Sequence, residues 1–526
     1  MHARKNLLLF TVCLCLATAF AQQPQHLLFR VDLGPQLTSP VSGRLLVLLR
    51  PGIRGKDIDL NPFQPTSISV AAKELYYWKP GTPVDIDTDE LAFPAGFSTL
   101  TPGDYEAQAV LDVNHNYNYS GASTGPSEGD LYSAVLALKA WTPGQGPEPQ
   151  LTLSGVIPAN TPRTQLSQEQ QQAADTATHL EDFVSPVLTR FSGRETRIRA
   201  WVILPPGYSD HSAARYPTVY WTHGFGGNLA SAKVTGQRLY VRMAQNKMPP
   251  MIWVMLDESL PTGTHEFADS VNNGPWGTAL TTEFIPHIES KYRMDGKASG
   301  RFLQGHSSGG WATLQLQINY PKIFGGTWST SPDPSDFHAF SSVDLYAPHA
   351  NLYKKPDGSA FPIVRDHEKV LATMEQLALQ ERVLGDYGGQ LASFEWVFSP
   401  RGADGRPMQM FNRETGDVDP AVVGYWGDHY DLARIVQKNW AALGPNLKGK
   451  IHLIVGTADT FYLDGPAHKF EAVLKSLNAD PHFTYIENRT HFDLYKVGDD
   501  PRGLFDTIAA QMYAVARPGQ QWKSGE

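Results

Sequence analysis

The sequence predicts an α/β domain, built on a mostly parallel sheet with helices on both faces, preceded by an all-β sandwich domain. Three observations carry this expectation. From about residue 180, short β-type runs alternate with amphipathic segments at the spacing of strand–helix–strand units. Residues 27–140 hold only short alternating or apolar runs, separated by Pro, Gly, Asn and Asp. Within the later part, "GRFLQGHSSGG" (300–310) passes from an apolar run into a Gly-Ser turn and then into a helical pattern. At 526 residues the chain exceeds a single core, so more than one domain is expected.

The N-terminus carries a targeting pattern. Arg4 and Lys5 form a basic start, Leu7 to Leu16 an apolar stretch, and Ala19-Phe20-Ala21 a small-x-small cleavage site. The stretch is too short to span a bilayer. Residues 1–21 therefore read as a cleaved signal peptide, with a secreted or periplasmic destination. Both cysteines, Cys13 and Cys15, lie inside it. The mature chain then has no thiol for a disulfide, a zinc site or a nucleophile. Loss of Arg4 and Lys5 moves the net charge from −9 to −11. An acidic chain without basic runs argues against nucleic acid and against insertion into an anionic membrane.

Residues 22–145 are assigned to the sandwich on "HLLFRVDL", "SGRLLVLLR", "SISVAAKEL", "DYEAQAVLDV" and "YSAVLAL". "WTPGQGPEPQ" and the Gln-rich "TQLSQEQQQAADT" mark a linker over 146–180, the second with room for a short helix. The α/β domain is then expected to span 181–520. Its strands are expected in "RETRIRAWVILPPGY", "YPTVYWTHGFGG", "PMIWVMLDE", "GRFLQGH", "GGTWSTSP", "KIHLIVGTAD" and "HFTYIE". Helices are expected in "ASAKVTGQRLYVRMAQNK", "GTALTTEFIPHIESKYR", "WATLQLQINYP" and "GPAHKFEAVLKSLNA". Residues 335–449 break this rhythm. A loop of that length without structure of its own is uncommon, so an inserted cap or lid is expected there.

Gly305-His306-Ser307-Ser308-Gly309 fits G-x-S-x-G between a strand and a helix. Such a turn exposes a strained nucleophile while glycines let neighbouring backbones approach. The register selects Ser307, because Ser308 in the central slot would need glycine in place of His306. Ser308 instead offers the backbone N–H that follows the nucleophile. Partners must come later as an acid and then a histidine. Asp459 ends the apolar "IHLIVGTAD", with Asp464 as the alternative. His491 in "ENRTHFDLY" follows the last expected strand and is favoured over His482 and His468. In "THGFGGN" (222–228) glycines bare the backbone at a strand tip, and the Phe225 N–H is the second oxyanion donor, unless this is a plain turn.

"THGFGGN", "DSVNNGPWGTALTTEFIPHIESKYR", "GRFLQGHSSGGWATLQLQINYPKIFGG", "VGTAD" and "THFDLY" together resemble the "Putative esterase" family of α/β-hydrolases. That family includes esterase D, enterochelin esterases, and feruloyl and acetyl-xylan esterases. The resemblance covers roughly 180–335 and 448–515. It implies a serine esterase without metal or organic cofactor, in which Ser307, Asp459 and His491 hold the nucleophile, acid and histidine positions. Two departures stand out: Thr490 precedes His491 where members often have glycine, and the 335–449 insertion is long.

Trp276 in "NNGPWG" is a candidate for lining the substrate pocket, with packing beneath the elbow as the alternative. Asp112, Asn114, Asn116, Glu128 and Asp130 invite a calcium reading. The glycine wanted after the third ligand is missing, and an ordinary Asx-rich hairpin loop is favoured. The leading functional reading is an exported serine esterase acting on a small-molecule or glycan-linked ester. An α/β-hydrolase peptidase is the second, and a glycan- or partner-binding protein with a degenerate hydrolase domain the third. The natural ester and the oligomeric state are not legible in the sequence.

Overall fold

The computed structural model describes residues 26–61, 63–113, 128–158, 164–385, 389–520, 522 and 525. The expected signal peptide at 1–21 and most of the Asx-rich loop between 112 and 130 lie outside the described residues.

The N-terminal strands run from Leu28–Leu33 to Gln150–Val156 and form one nine-stranded sheet. The first and last of them pair in parallel, and the other pairings are antiparallel. The sheet curls on itself: Lys73, near one end, donates from Nζ to the Asp85 carbonyl in the strand at the other end. Alternate residues such as Phe29, Val31, Leu45, Val47, Ala109 and Leu153 thereby share one apolar core. The linker expected at 146–180 is corrected here. Gln150–Val156 is a strand that buries Leu151 and Leu153. Gln168–Thr176 is a helix capped by Ser167. A five-residue alternation beside a Pro-Gly run is too short a signal to separate strand from linker.

The strands of the second sheet are numbered β1 (Thr178–Val184), β2 (Arg197–Ile203), β3 (Thr218–Thr222), β4 (Ile252–Leu256), β5 (Arg301–His306), β6 (Gly326–Thr330), β7 (Ile451–Gly456) and β8 (His482–Ile486). Their order is β1-β2-β4-β3-β5-β6-β7-β8. The β1/β2 and β2/β4 pairs are antiparallel and the rest parallel. Strands β3, β4 and β6 are buried along their whole length, as expected where helices cover both faces. Alternation divides β3 between the two sides. Val219 packs with α1 (Leu229–Ala244) and the C-terminal helix Gly503–Ala516. Tyr220 packs with Phe284, Ile288 and Leu316 on the other face.

Residues 335–449 lie between β6 and β7. Among the described residues they contain a hairpin, Pro362–Asp366 with Lys369–Thr373, and four α-helices. Helix α2 (Ser308–Asn319) follows β5. The insertion's helices are α3 (Met374–Leu384), α4 (Gln390–Phe398), α5 (Pro420–His429) and α6 (Leu432–Leu447). Of these, α6 packs through Leu432, Val436 and Leu447 in one core with Leu314 and Ile318 of α2 and with Phe470 and Leu474 of the helix Asp464–Ser476. It therefore belongs to the covering of the sheet.

The insertion also touches the N-terminal domain. Leu46, Leu48, Val70, Ala72 and Phe93 form an apolar cluster with Val383 and Leu384 of α3. Arg44 Nη1 donates to the Val383 carbonyl at 2.9 Å. No described helix is long and apolar enough to cross a membrane.

Candidate active site

Strand β5 ends at His306 and α2 begins at Ser308, leaving Ser307 between them at φ 60° and ψ −127°. A non-glycine residue rarely adopts this backbone conformation, and here the surroundings enforce it. The Ser307 N–H donates to the Thr330 carbonyl of β6 at 3.1 Å, and the Ser307 carbonyl accepts from Trp311 N–H at 3.0 Å. The flanking glycines are required by contact: a Cβ on Gly305 would strike the Gly309 carbonyl, and one on Gly309 the carbonyls of Thr222 and His223. Both glycines frame Ser307.

His491 Nδ1–H donates to Asp459 Oδ2 at 2.9 Å, leaving Nε2 as the other ring nitrogen. The histidine is 3% exposed and the aspartate 0%. Burial raises the Asp459 carboxyl, but the adjacent His491 and the Phe461 N–H outweigh it, so the group stays below the usual carboxylate range. The other candidates are engaged elsewhere. Asp464 accepts from Arg365 Nη2 at 2.7 Å, His468 stacks on Tyr485 at 4.0 Å, and His482 on His452 at 4.6 Å. Thr490 ties the histidine loop down: its N–H and Oγ1 donate to Asp493 Oδ1 at 2.7 and 2.8 Å.

Gly224, Phe225 and Gly227 face the same cavity as Ser307 and His491. A Cβ on Gly224 would lie 2.9 Å from the Ser307 Cβ, so this strand tip approaches the elbow closely because it is glycine. His223 holds the tip, its Nδ1 donating to the Gly224 carbonyl at 2.9 Å. Ser308 opens α2, and its N–H belongs to the first turn, where no intrahelical acceptor exists.

Three residues of the site were not singled out in the sequence. Asp333 follows β6 and lines the cavity; its Oδ2 accepts from Ser308 Oγ at 2.6 Å, and its N–H donates to the Ser307 carbonyl at 3.2 Å. Burial pushes this carboxyl up to about 6. His306, between Gly305 and Ser307, stands 4.3 Å from the His491 ring; burial first and then His491 push it down to about 3, so it is neutral beside the pair. Phe63, from the N-terminal domain, also lines the cavity. Trp276, in contrast, is corrected. It is buried, stacked on His265 at 3.7 Å with Nε1 donating to the Asn273 carbonyl, and it is not among the cavity residues. Its loop turns inward because the ring completes the core with Phe267 and Phe284.

The cavity measures about 620 Å³. Three parts of the chain build its wall: Asp59, Leu60 and Phe63 of the N-terminal domain; Phe340, Ile363, Met374, Leu377 and Phe394 of the insertion; and Phe461 and Phe492 beside the histidine. It is predominantly apolar and of a size to enclose a small organic molecule. Among the described residues no group of His, Cys, Asp and Glu is placed to hold a metal ion.

No curated protein matches the sequence significantly. Among solved structures, a ferulic acid esterase aligns at 15% identity over 65% of this chain and 97% of its own, with a TM-score of 0.39. A fluorophosphonate-binding serine hydrolase of Staphylococcus aureus aligns at 13% identity over 65% and 98%, with a TM-score of 0.37. An S-formylglutathione hydrolase of the same organism aligns at 14% identity over 65% and 99%, also at 0.37. The family model described as "Putative esterase" matches residues 192–506, which take in β3, the Ser307 turn, Asp459 and His491. The chain belongs to this esterase family of α/β-hydrolases.

Proposed function

We propose that the protein is an exported serine carboxylic ester hydrolase that works through an acyl-enzyme. The observation that carries the reading is the strained Ser307 facing one cavity with His491, whose ring is held by buried Asp459. In the first half-reaction His491 Nε2 takes the Ser307 Oγ proton as the oxygen bonds to the ester carbonyl carbon. The N–H groups of Phe225 and Ser308 receive the negative oxygen of the tetrahedral intermediate. Its collapse breaks the bond to the leaving alcohol, whose oxygen takes the proton from His491. Water, deprotonated by the same nitrogen, then releases the acid and restores Ser307. Asp459 stays ionised and holds the imidazole in the tautomer this needs. Export rests on the basic, apolar and small-residue pattern of residues 1–21.

The test is covalent labelling with a fluorophosphonate probe. Wild type should label on the peptide containing Ser307, and Ser307→Ala should not. Labelling that survives the substitution would remove the serine from its role.

A further inference from the structure

The N-terminal domain does more than precede the hydrolase fold; it reaches the site. The segment carrying Leu60 and Phe63 is anchored at both ends. Ile58 is buried in the cluster shared with α3, and its N–H donates to Gln108 Oε1 at 2.8 Å. Past Phe63, the Pro65 carbonyl accepts from Gln380 Nε2 of α3 at 3.3 Å. Between these anchors the Phe63 N–H donates to Asn61 Oδ1 at 2.9 Å.

So held, the Phe63 ring lies 5.9 Å from that of Phe461 and 5.3 Å from that of Phe492, and the latter two are 6.0 Å apart. Both Phe461 and Phe492 touch the His491 ring, at 4.9 and 5.3 Å. All three phenylalanines line the cavity. Their position beside His491 has a chemical meaning. In acyl transfer the histidine must deliver its proton to the oxygen of the departing alcohol, so that alcohol lies on the histidine's side. The oxyanion loop, Gly224 and Phe225, stands by the serine instead.

We propose that Phe63, with Phe461 and Phe492, forms the wall against which the leaving alcohol rests, and that the preferred esters carry an apolar, ring-sized alcohol. This rests on the esterase reading above. Phe63 is then a specificity-determining residue donated by the N-terminal domain. Leu60, beside it in the lining, extends the apolar surface. The aromatic wall offers flat ring faces and edges and no hydrogen-bonding group, which suits an apolar ring better than a small or strongly hydrated alcohol.

The experiment compares benzyl and methyl esters of one short carboxylic acid, which share the acyl-enzyme and differ only in the alcohol. Wild type should show the higher kcat/KM for the benzyl ester. Phe63→Ala in the full chain should lower the benzyl value by roughly 3- to 10-fold more than the methyl value, the scale of one aromatic contact. Phe63→Tyr, which keeps the ring, should retain most of the benzyl preference. Should Phe63→Ala not fold, Phe492→Ala, at a side chain 64% exposed, reads the same wall. A wild type without benzyl preference, or variants that lose both esters equally, would overturn the proposal. Fluorophosphonate labelling of the same samples separates the two claims. A protein that labels at Ser307 but has no alcohol preference keeps the esterase reading and loses this one, whereas a protein that fails to label loses the esterase reading first.

Discussion

Ser308 Oγ donates to Asp333 Oδ2 at 2.6 Å, and the Asp333 N–H returns to the Ser307 carbonyl at 3.2 Å. One buried residue after β6 thus grips both serines of the turn. The Ser308 hydroxyl anchors the elbow, while its backbone N–H lies in the first turn of α2.

The Asp333 carboxyl sets a pH dependence of stability. Burial raises it to about 6, above the value near 3.9 of an unfolded aspartate. Between those values the folded state keeps a proton the unfolded state has released, so stability falls as pH rises from about 4 through about 6. Asp333→Asn can still accept from Ser308 and cannot ionise. Its melting temperature relative to wild type should therefore rise between pH 4 and pH 8. Thermal melts at several pH values check this, and a constant difference would refute it.

The Gly309 position tolerates no side chain, because a Cβ there meets the carbonyls of Thr222 and His223. Gly309→Ala should destabilise the protein by about 1–3 kcal/mol and displace the elbow from the strand tip at Thr222 and His223. Denaturant unfolding should show the loss, and esterase activity should fall by more than the folded fraction. Full activity at native stability would show that the approach of these backbones is not required.

Asp459 offers a test of tautomer control. Asp459→Asn keeps the size of the side chain and a hydrogen bond to His491, but allows the ring to present the wrong nitrogen to Ser307. The value of kcat should drop roughly 10³- to 10⁴-fold while the melting curve stays cooperative. A decrease of only a few-fold would mean that another group orients the imidazole.

Much of this site is legible in the chain because its signals are local. The glycines around Ser307, the apolar run ending at Asp459 and the loop after β8 each mark a position whose geometry is fixed by its immediate neighbours. Asp333 escaped because its partners lie on the turn after the neighbouring strand β5, far away in sequence, and nothing around it distinguishes it from an ordinary turn aspartate. Trp276 was misread for the complementary reason: a loop beside the site looks the same in sequence whether its ring faces the cavity or the core. The role of Phe63 depends on how two domains meet, which no local pattern encodes. A trace of that meeting is nonetheless present. In the strand Val41–Pro51, Leu45, Val47 and Leu49 face the domain's own core while Leu46 and Leu48 meet α3. A strand apolar on both faces announces that both faces are covered.

The central claim is that Ser307 carries the acyl group. Its most direct test is to quench the wild-type protein in acid during turnover of an activated aryl butyrate and map the mass of its peptides. The peptide bearing Ser307 should gain one butyryl group at a level that follows the turnover, and in Ser307→Ala both the adduct and the turnover should vanish. A butyryl group on another residue, or undiminished hydrolysis by Ser307→Ala, would contradict the account.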